Sequence, residues 1–316
     1  MNPAFLFQTF FGCFGFVLNT LMSLVILITM QDGLGKFRYL LFTHTALSAI
    51  QCFSPALTAP KIFQSGNSWI TYDSLNIIPI PVAQILVIQF SSAHVLIIMV
   101  VSFVYRYYVV CKPMWLRNFT IFRTLLVCLV VLVGHIGAIL LGLPDEECEE
   151  EHGEEFLLST GRLLNKTAYM CVQIAHEEHL HLDGMLALLN YAIVFGIGIV
   201  IILFCIVKIN RSLRTDIQSV NKSTKTLQWK ILILLFLQLL IPLVSAIVPA
   251  NIIIILSSLG VKSERAVDII SCSFALSPIT EPILILIFIK KYRLTLMFWR
   301  SQGKKKTSSG WVSSNM

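Results

Sequence analysis

Long apolar runs alternate along the chain with short polar stretches, and seven of the runs are long enough to cross a bilayer as helices: residues 4–30, 39–60, 82–107, 122–143, 185–207, 231–256 and 266–289. A hydrocarbon core roughly 30 Å thick takes about 20 residues of helix. Helix is required because backbone amides facing lipid find no partner outside their own segment. Pro81 stands just before the third run and Pro242 inside the sixth, positions that spanning helices tolerate when neighbours serve the freed carbonyl. No internal repeat is visible. The pattern predicts an all-α membrane protein: one seven-transmembrane-helix bundle over residues 1–293, then a tail, 294–316.

Charge orients the bundle. Of the 24 Lys and Arg residues, 19 fall after spans one, three and five and in the tail, and 5 (Lys61, Arg162, Lys166, Lys262 and Arg265) fall in the other loops. Basic residues collect on the cytoplasmic side, so the N-terminus is expected outside and the C-terminus inside. The first run has no basic flank before it and no small-residue cleavage site, and reads as a retained signal-anchor.

The acidic residues are concentrated instead. Eight of the chain's 17 lie in PDEECEEEHGEE, residues 144–155. This stretch opens the loop between spans four and five, which the orientation places outside, away from the anionic inner leaflet. The same loop holds His152, His176, His179 and His181, but not in the H-E-x-x-H spacing of a helix-borne zinc site. It reads as a solvated acidic loop, with no metal and no cofactor expected. Asn165-Lys166-Thr167 is the sequon on the outer side, which makes Asn165 the glycosylation candidate. Cys148 and Cys171 are the two cysteines exposed to oxidising surroundings outside the spans, where a bridge and two free thiols are both open. The other six lie in or beside helices and read as small apolar residues.

The inner helix ends carry more specific signals. Span three closes with Ser102-Phe103-Val104-Tyr105-Arg106-Tyr107-Tyr108, followed by Cys111-Lys112-Pro113. Span six has Leu237-Gln238-Leu239-Leu240-Ile241-Pro242, and span seven has Ser277-Pro278-Ile279-Thr280-Glu281-Pro282, then Phe288-Ile289-Lys290-Lys291-Tyr292-Arg293. In this order and at these depths the motifs resemble the nematode serpentine chemoreceptors of the Str superfamily. The Srd class (serpentine receptor class delta) fits best, helped by Ala59-Pro60-Lys61-Ile62 after span two. The chain also departs from rhodopsin-like receptors. No acidic residue precedes Arg106, no cysteine tops span three, and span seven lacks NPxxY. Where the Srd pattern commonly has Asp before the last proline of span seven, Glu281 stands here.

The resemblance implies a G-protein-coupled chemosensory receptor, multi-pass in the plasma membrane, in a sensory-neuron cilium. Its partners would be a small lipophilic or amphiphilic ligand, a heterotrimeric G protein and membrane lipids. It implies coupling or switch roles for Tyr105, Arg106, Tyr107, Glu281, Tyr292 and Arg293. For Arg106 the alternative is a topology anchor whose stem snorkels to the headgroups. At 1.5 Å per residue, Glu281 lies 12 residues before Arg293 and His94 lies 12 before Arg106, so both stand about 18 Å above the inner end and could pair. Ionisable groups at that depth are costly and face the bundle interior. Switch and interhelical polar glue are both open for Glu281; Asn19 and His135, near the same level, read as glue. In the outer halves of the helices, Gln84, Gln89, Ser91, His94, Asn190, Tyr191 and Asn251 are candidates for lining a ligand pocket. In the tail, Tyr292, Leu296 and Trp299 share one face of a short helix suited to the inner leaflet.

No G-x-S-x-G, P-loop or dinucleotide fingerprint is present, so no enzyme is expected, and nothing calls for nucleic acid. A small transporter or channel, or a non-signalling co-receptor, is the alternative function class. Seven spans without inverted halves argue against the transporter.

Overall fold

The computed structural model describes residues 3–29, 37–58, 61–65, 68–72, 81–114, 146–161, 169–173, 175–176, 179–180, 182–215, 222–249 and 264–297, together with residues 129, 133, 163 and 252. The long helices among them are α1 (Pro3–Ile28), α2 (Phe37–Thr58), α3 (Pro81–Cys111), α4 (Glu146–Thr160), α5 (Leu182–Thr215), α6 (Lys222–Pro242) and α7 (Glu264–Phe288). A further helical stretch covers 290–297. The apolar run 122–143 lies outside the described residues except for Leu129 and Val133. These two are helical, four residues apart, and 51% and 61% exposed.

The helices pack as a ring. α1 lies against α2 and α7, α2 against α3, α3 against α5, and α6 against α7, with lesser contacts from α6 to α3 and α5. Three described stretches are long and apolar enough to cross a membrane by length and composition: Leu6–Ile28, Ala192–Thr215 and Thr226–Ser245. Their outward faces are as apolar as their inward ones, with Leu21, Leu24 and Ile28 on α1 and Ile197, Val200 and Leu203 on α5 all exposed. Lipid makes that arrangement stable, so the helices are held together by close packing and interhelical hydrogen bonds.

The main core fills the half of the bundle nearest Arg106. It joins Met22, Val25 and Ile26 of α1 to Phe37 and Leu40 of α2, Met99 and Phe103 of α3, Ile202 and Ile209 of α5, Leu234 and Leu235 of α6 and Ile285 of α7. The stretch 290–297 closes this end. Tyr292 is buried in the core and Leu296 packs against it, while Arg293 points to the surface. Burial pushes the Tyr292 phenol up to about 12 against the opposing pull of Arg38, so it stays neutral at physiological pH. Trp299, the third residue of the expected face, lies outside the described residues.

The opposite end carries structure that the hydrophobic pattern does not announce. β1 (Lys61–Ser65) and β2 (Ser68–Tyr72) form an antiparallel hairpin, and β3 (Tyr169–Gln173) adds to β2 with Ile70 opposite Cys171. The two residues between β1 and β2 are Gly66 and Asn67, types that two-residue hairpin connections select. Two short strands, β4 (Ala175–His176) and β5 (His179–Leu180), pair nearby in sequence.

The acidic stretch is part of a helix rather than a loop. Its carboxylates crowd the N-terminal part of α4, where the helix dipole favours negative charge. Phe156 anchors α4, edge-on to Phe63 at 5.4 Å and to Tyr72 at 5.0 Å. Gly161 ends it with φ 70, its N–H donating to the Leu157 carbonyl at 2.8 Å; glycine takes that left-handed turn without a Cβ penalty.

Candidate functional site

Two proline kinks shape the bundle's interior. On α7, Pro282 lacks the N–H that would serve the carbonyl of Pro278 one turn earlier. Asn19 of α1 replaces it, its Nδ2 donating to the Pro278 oxygen at 2.9 Å and to the Gly15 oxygen at 2.9 Å. Asn19 reaches that far because Gly15 lets the helices close up. A Cβ built there would lie 2.6 Å from Cys52 Sγ and 2.9 Å from Ile279 Cγ1. Gly15→Val is therefore expected to separate α1 from α2 and α7, costing about 1–3 kcal/mol. The check is the yield of monodisperse protein by fluorescence-detected size exclusion.

On α6, Pro242 is followed by a π-helical turn, Leu243–Ile247, in which the N–H of Val248 bonds the Leu243 carbonyl. Such wide turns commonly relieve a helix whose regular ladder is interrupted.

Around the α7 kink lies a buried polar cluster. Glu281 is 1% exposed. Its Oε2 accepts a hydrogen bond from Ser48 Oγ at 2.5 Å, and its Oε1 lies 2.7 Å from Nε2 of His44. Beside it, Ser23 Oγ donates to the Asn19 carbonyl at 2.9 Å and lies 2.8 Å from Thr45 Oγ1. An acid and a base at this distance, away from water, hold their charge or proton within the pair. Unpaired, either group would be expensive to bury. The partner found for Glu281 is thus His44 of α2, where depth arithmetic named His94 of α3.

Arg106 is the second buried charge, 5% exposed at the far end of α3. Its Nη1 donates to Oε1 of Gln228 on α6 at 2.9 Å, and its guanidinium carbon stands 4.0 Å from the centre of the Phe37 ring on α2. Tyr105 stacks on the same ring at 6.3 Å. Among the described residues, Nε and Nη2 of Arg106 have no hydrogen-bond partner. Tyr107 faces α5, 5.8 Å from Phe204. One arginine therefore ties α3 to α2 and α6 while keeping donors unspent. Phe37 and His44 lie seven residues apart, about two turns and 10 Å, so α2 touches both buried charges.

The other expected residues are more dispersed. Asn190 is half-buried on α5, Tyr292 lies in the core and Arg293 at the surface. Asn165, Asn251 and His135 lie outside the described residues, as do the side chains of Gln84, Gln89, Ser91, His94 and Tyr191. Cys148 stands in the first turn of α4 and Cys171 in β3, with side chains likewise outside the described part. Sequence reasoning missed Phe37, His44, Ser48 and Gln228. The signal for two of them was present, since His44 and Ser48 are polar residues one turn apart inside an apolar run.

Comparison with known proteins agrees with this architecture. Squid rhodopsin is similar in fold, with a TM-score of 0.58 at 14% identity over 92% of this chain and 82% of that one. Serpentine receptor class r-10 of Caenorhabditis elegans is 27% identical over 218 residues, so the match spans 66% of this chain but only 63% of that relative's length. The model of the serpentine type 7TM GPCR chemoreceptor Str matches residues 4–297, nearly the whole bundle and the helical stretch after it. With a rhodopsin-like helical fold and that match, the chain is a membrane protein and belongs to the Str family of serpentine chemoreceptors, a receptor family and not an enzyme family.

Proposed function

We propose that this protein is a chemosensory receptor of the Srd class that binds a small lipophilic or amphiphilic ligand outside the cell and signals through a heterotrimeric G protein inside. The observation that carries the reading is the Arg106 junction. A buried cation with unspent donors holds α3 to α6 through a single neutral side chain, Gln228. A single hydrogen bond from a charged donor is a restraint of about 1.5–3 kcal/mol, so a ligand that prefers an arrangement lacking it by that much would release the inner ends. The released guanidinium would then be available to carbonyls and helix C-termini of a partner. Tyr105, Tyr107, Tyr292 and Arg293 belong to the same inner face.

In this reading the receptor lies in the plasma membrane of a sensory cilium, N-terminus outside. The sheet and α4 form the outer cap, which carries the Asn165 glycan and the Cys148 to Cys171 bridge. The basic residues between Lys208 and Lys230, with the stretch 290–297 and the tail, face the anionic leaflet. Ligand would enter among Gln84, Gln89, Ser91, His94, Asn190, Tyr191 and Asn251. Epitope tags placed at Asn2 and after Gly153 should be antibody-accessible on intact cells, and a tag after Met316 only after permeabilisation; an exposed C-terminal tag would overturn the orientation. For the function, the test is ligand-dependent nucleotide exchange on a G protein with the receptor in nanodiscs, set against solute flux in proteoliposomes. Flux without exchange would replace the receptor with a transporter.

A further inference from the structure

The two kinks differ in how they are completed. At the α7 kink the freed carbonyl is served by Asn19. At the α6 kink, Pro242 likewise cannot serve the Gln238 carbonyl one turn earlier, and the helix continues through a π turn. Gln238 is 1% exposed, and among the described residues neither its amide nitrogen nor its amide oxygen has a partner. The hydroxyl of Ser245, inside the π turn, is also buried with no partner among them. Native structures keep few such groups, because a buried amide with nothing to bond loses its water and regains nothing. Gln238 and Ser245 bracket Pro242 on one helix, seven residues and about 10 Å apart.

We infer that the α6 kink is a ligand-anchoring site, in which the Gln238 amide takes the polar head of a small neutral oxygen-bearing molecule and the Ser245 hydroxyl, two turns along the same face, offers it a second polar contact. The chemistry selects that class. A primary amide offers a donor and an acceptor together, and a hydroxyl offers the same, so the pair suits a carbonyl, hydroxyl or amide head. Charge is excluded by what lies around it. Leu234 and Leu235, a turn below Gln238, belong to the apolar core. Arg106 meets Gln228, ten residues and about 15 Å toward the basic end of α6. Glu281 is already engaged by His44 and Ser48 of α2. A bound head would also load the kink itself, the point at which α6 departs from α-helical geometry and from which a bend reaches Gln228. The assignment rests on the receptor reading for its purpose, but not for its existence.

The test uses the full-length protein in lipid nanodiscs, with heptan-2-one, heptan-2-ol and hexanamide as probes and heptane as the control. Gln238→Leu removes the unpaired amide at similar volume, so it should raise the melting temperature of the ligand-free protein. At least one oxygenated probe should raise the wild-type melting temperature by a few degrees through mass action, with no effect from heptane. That shift should vanish in Gln238→Leu and shrink in Ser245→Ala, which decides the matter if the first variant does not fold. A lowered melting temperature in ligand-free Gln238→Leu would mean that the amide holds a structural water, and would overturn the site. So would probes that shift nothing, or a shift that survives in both variants. Nucleotide exchange measured beside it separates the two readings. A probe that binds through Gln238 but drives no exchange upholds the site and sinks the receptor reading. Exchange driven equally in wild type and both variants does the reverse.

Discussion

Replacing Arg106 with alanine is expected to abolish ligand-driven nucleotide exchange while leaving surface delivery and ligand binding largely intact. The side chain stands at the end of α3, in contact with both α2 and α6. A guanidinium against a desolvated aromatic face contributes about 2 kcal/mol, and its hydrogen bond to Gln228 about 1.5–3 kcal/mol. These contacts hold the closed arrangement, so the junction can be probed from the other side as well. Gln228→Ala removes the restraint and keeps the cation; since about 1.4 kcal/mol is a tenfold change in an equilibrium, basal exchange should rise about tenfold or more. Gln228→Glu would instead give Arg106 a full counter-charge and should lower basal exchange below wild type. If Arg106→Ala simply failed to reach the surface, and neither Gln228 variant moved basal exchange, the residue would be a topology anchor.

The other large effect is expected at Glu281. Glu281→Leu leaves His44 buried opposite an alkyl group, and breaking a buried pair from one side costs about 3–5 kcal/mol. Folded yield should fall sharply, read as the fraction of monodisperse receptor after solubilisation. Pairing that variant with His44→Leu should recover most of the loss, because replacing both members with apolar groups is close to neutral. Glu281→Gln separates stability from switching. It preserves shape and can still accept from Ser48, so yield should stay near wild type. A change in basal or ligand-driven exchange in this variant would assign the carboxylate's charge to the switch, whereas wild-type behaviour would leave it as interhelical glue. A fully functional, well-folded Glu281→Leu receptor would eliminate both roles.

The cluster around Glu281 explains why these substitutions belong to packing as much as to signalling. Asn19, Ser23, His44, Thr45 and Ser48 each spend a polar group within α1, α2 and α7. In a bundle whose outer faces are apolar, such bonds and close contacts select one helix arrangement over others. The α7 kink is therefore stabilised from α1, and a movement of the inner end of α7 would have to be carried by three helices together.

Much of this protein was legible one residue at a time. Run length and the absence of charge give the membrane-spanning helices, because lipid leaves the backbone no other way to satisfy its amides. The order of short motifs at the helix ends carries the Str superfamily, and at that level the reading agrees with the match over residues 4–297. The depth of Glu281 was not legible: it was counted from Arg293, but α7 ends at Phe288, only seven residues and about 10 Å past Glu281.

What stands beside each residue was not legible, and the reason is physical. Rise along a helix fixes height, but the azimuth of a side chain matters only once the neighbouring helix is placed, and apolar residues on all sides leave no amphipathic stripe to set it. Height counted from Arg293 named His94 for Glu281; the packing of α2 on α7 decided for His44, which stands seven residues from Phe37 as Glu281 stands seven from Phe288. Gln228 reads as one more polar residue in a basic loop until α6 is laid across Arg106. The acidic stretch reads as solvated until Phe156 finds Phe63 and Tyr72, residues about 90 positions earlier. Local chemistry in the sequence determined the long apolar helices and their superfamily, whereas only the tertiary structure decided the sheet and α4, which polar groups are paired and which, at Gln238, are left open.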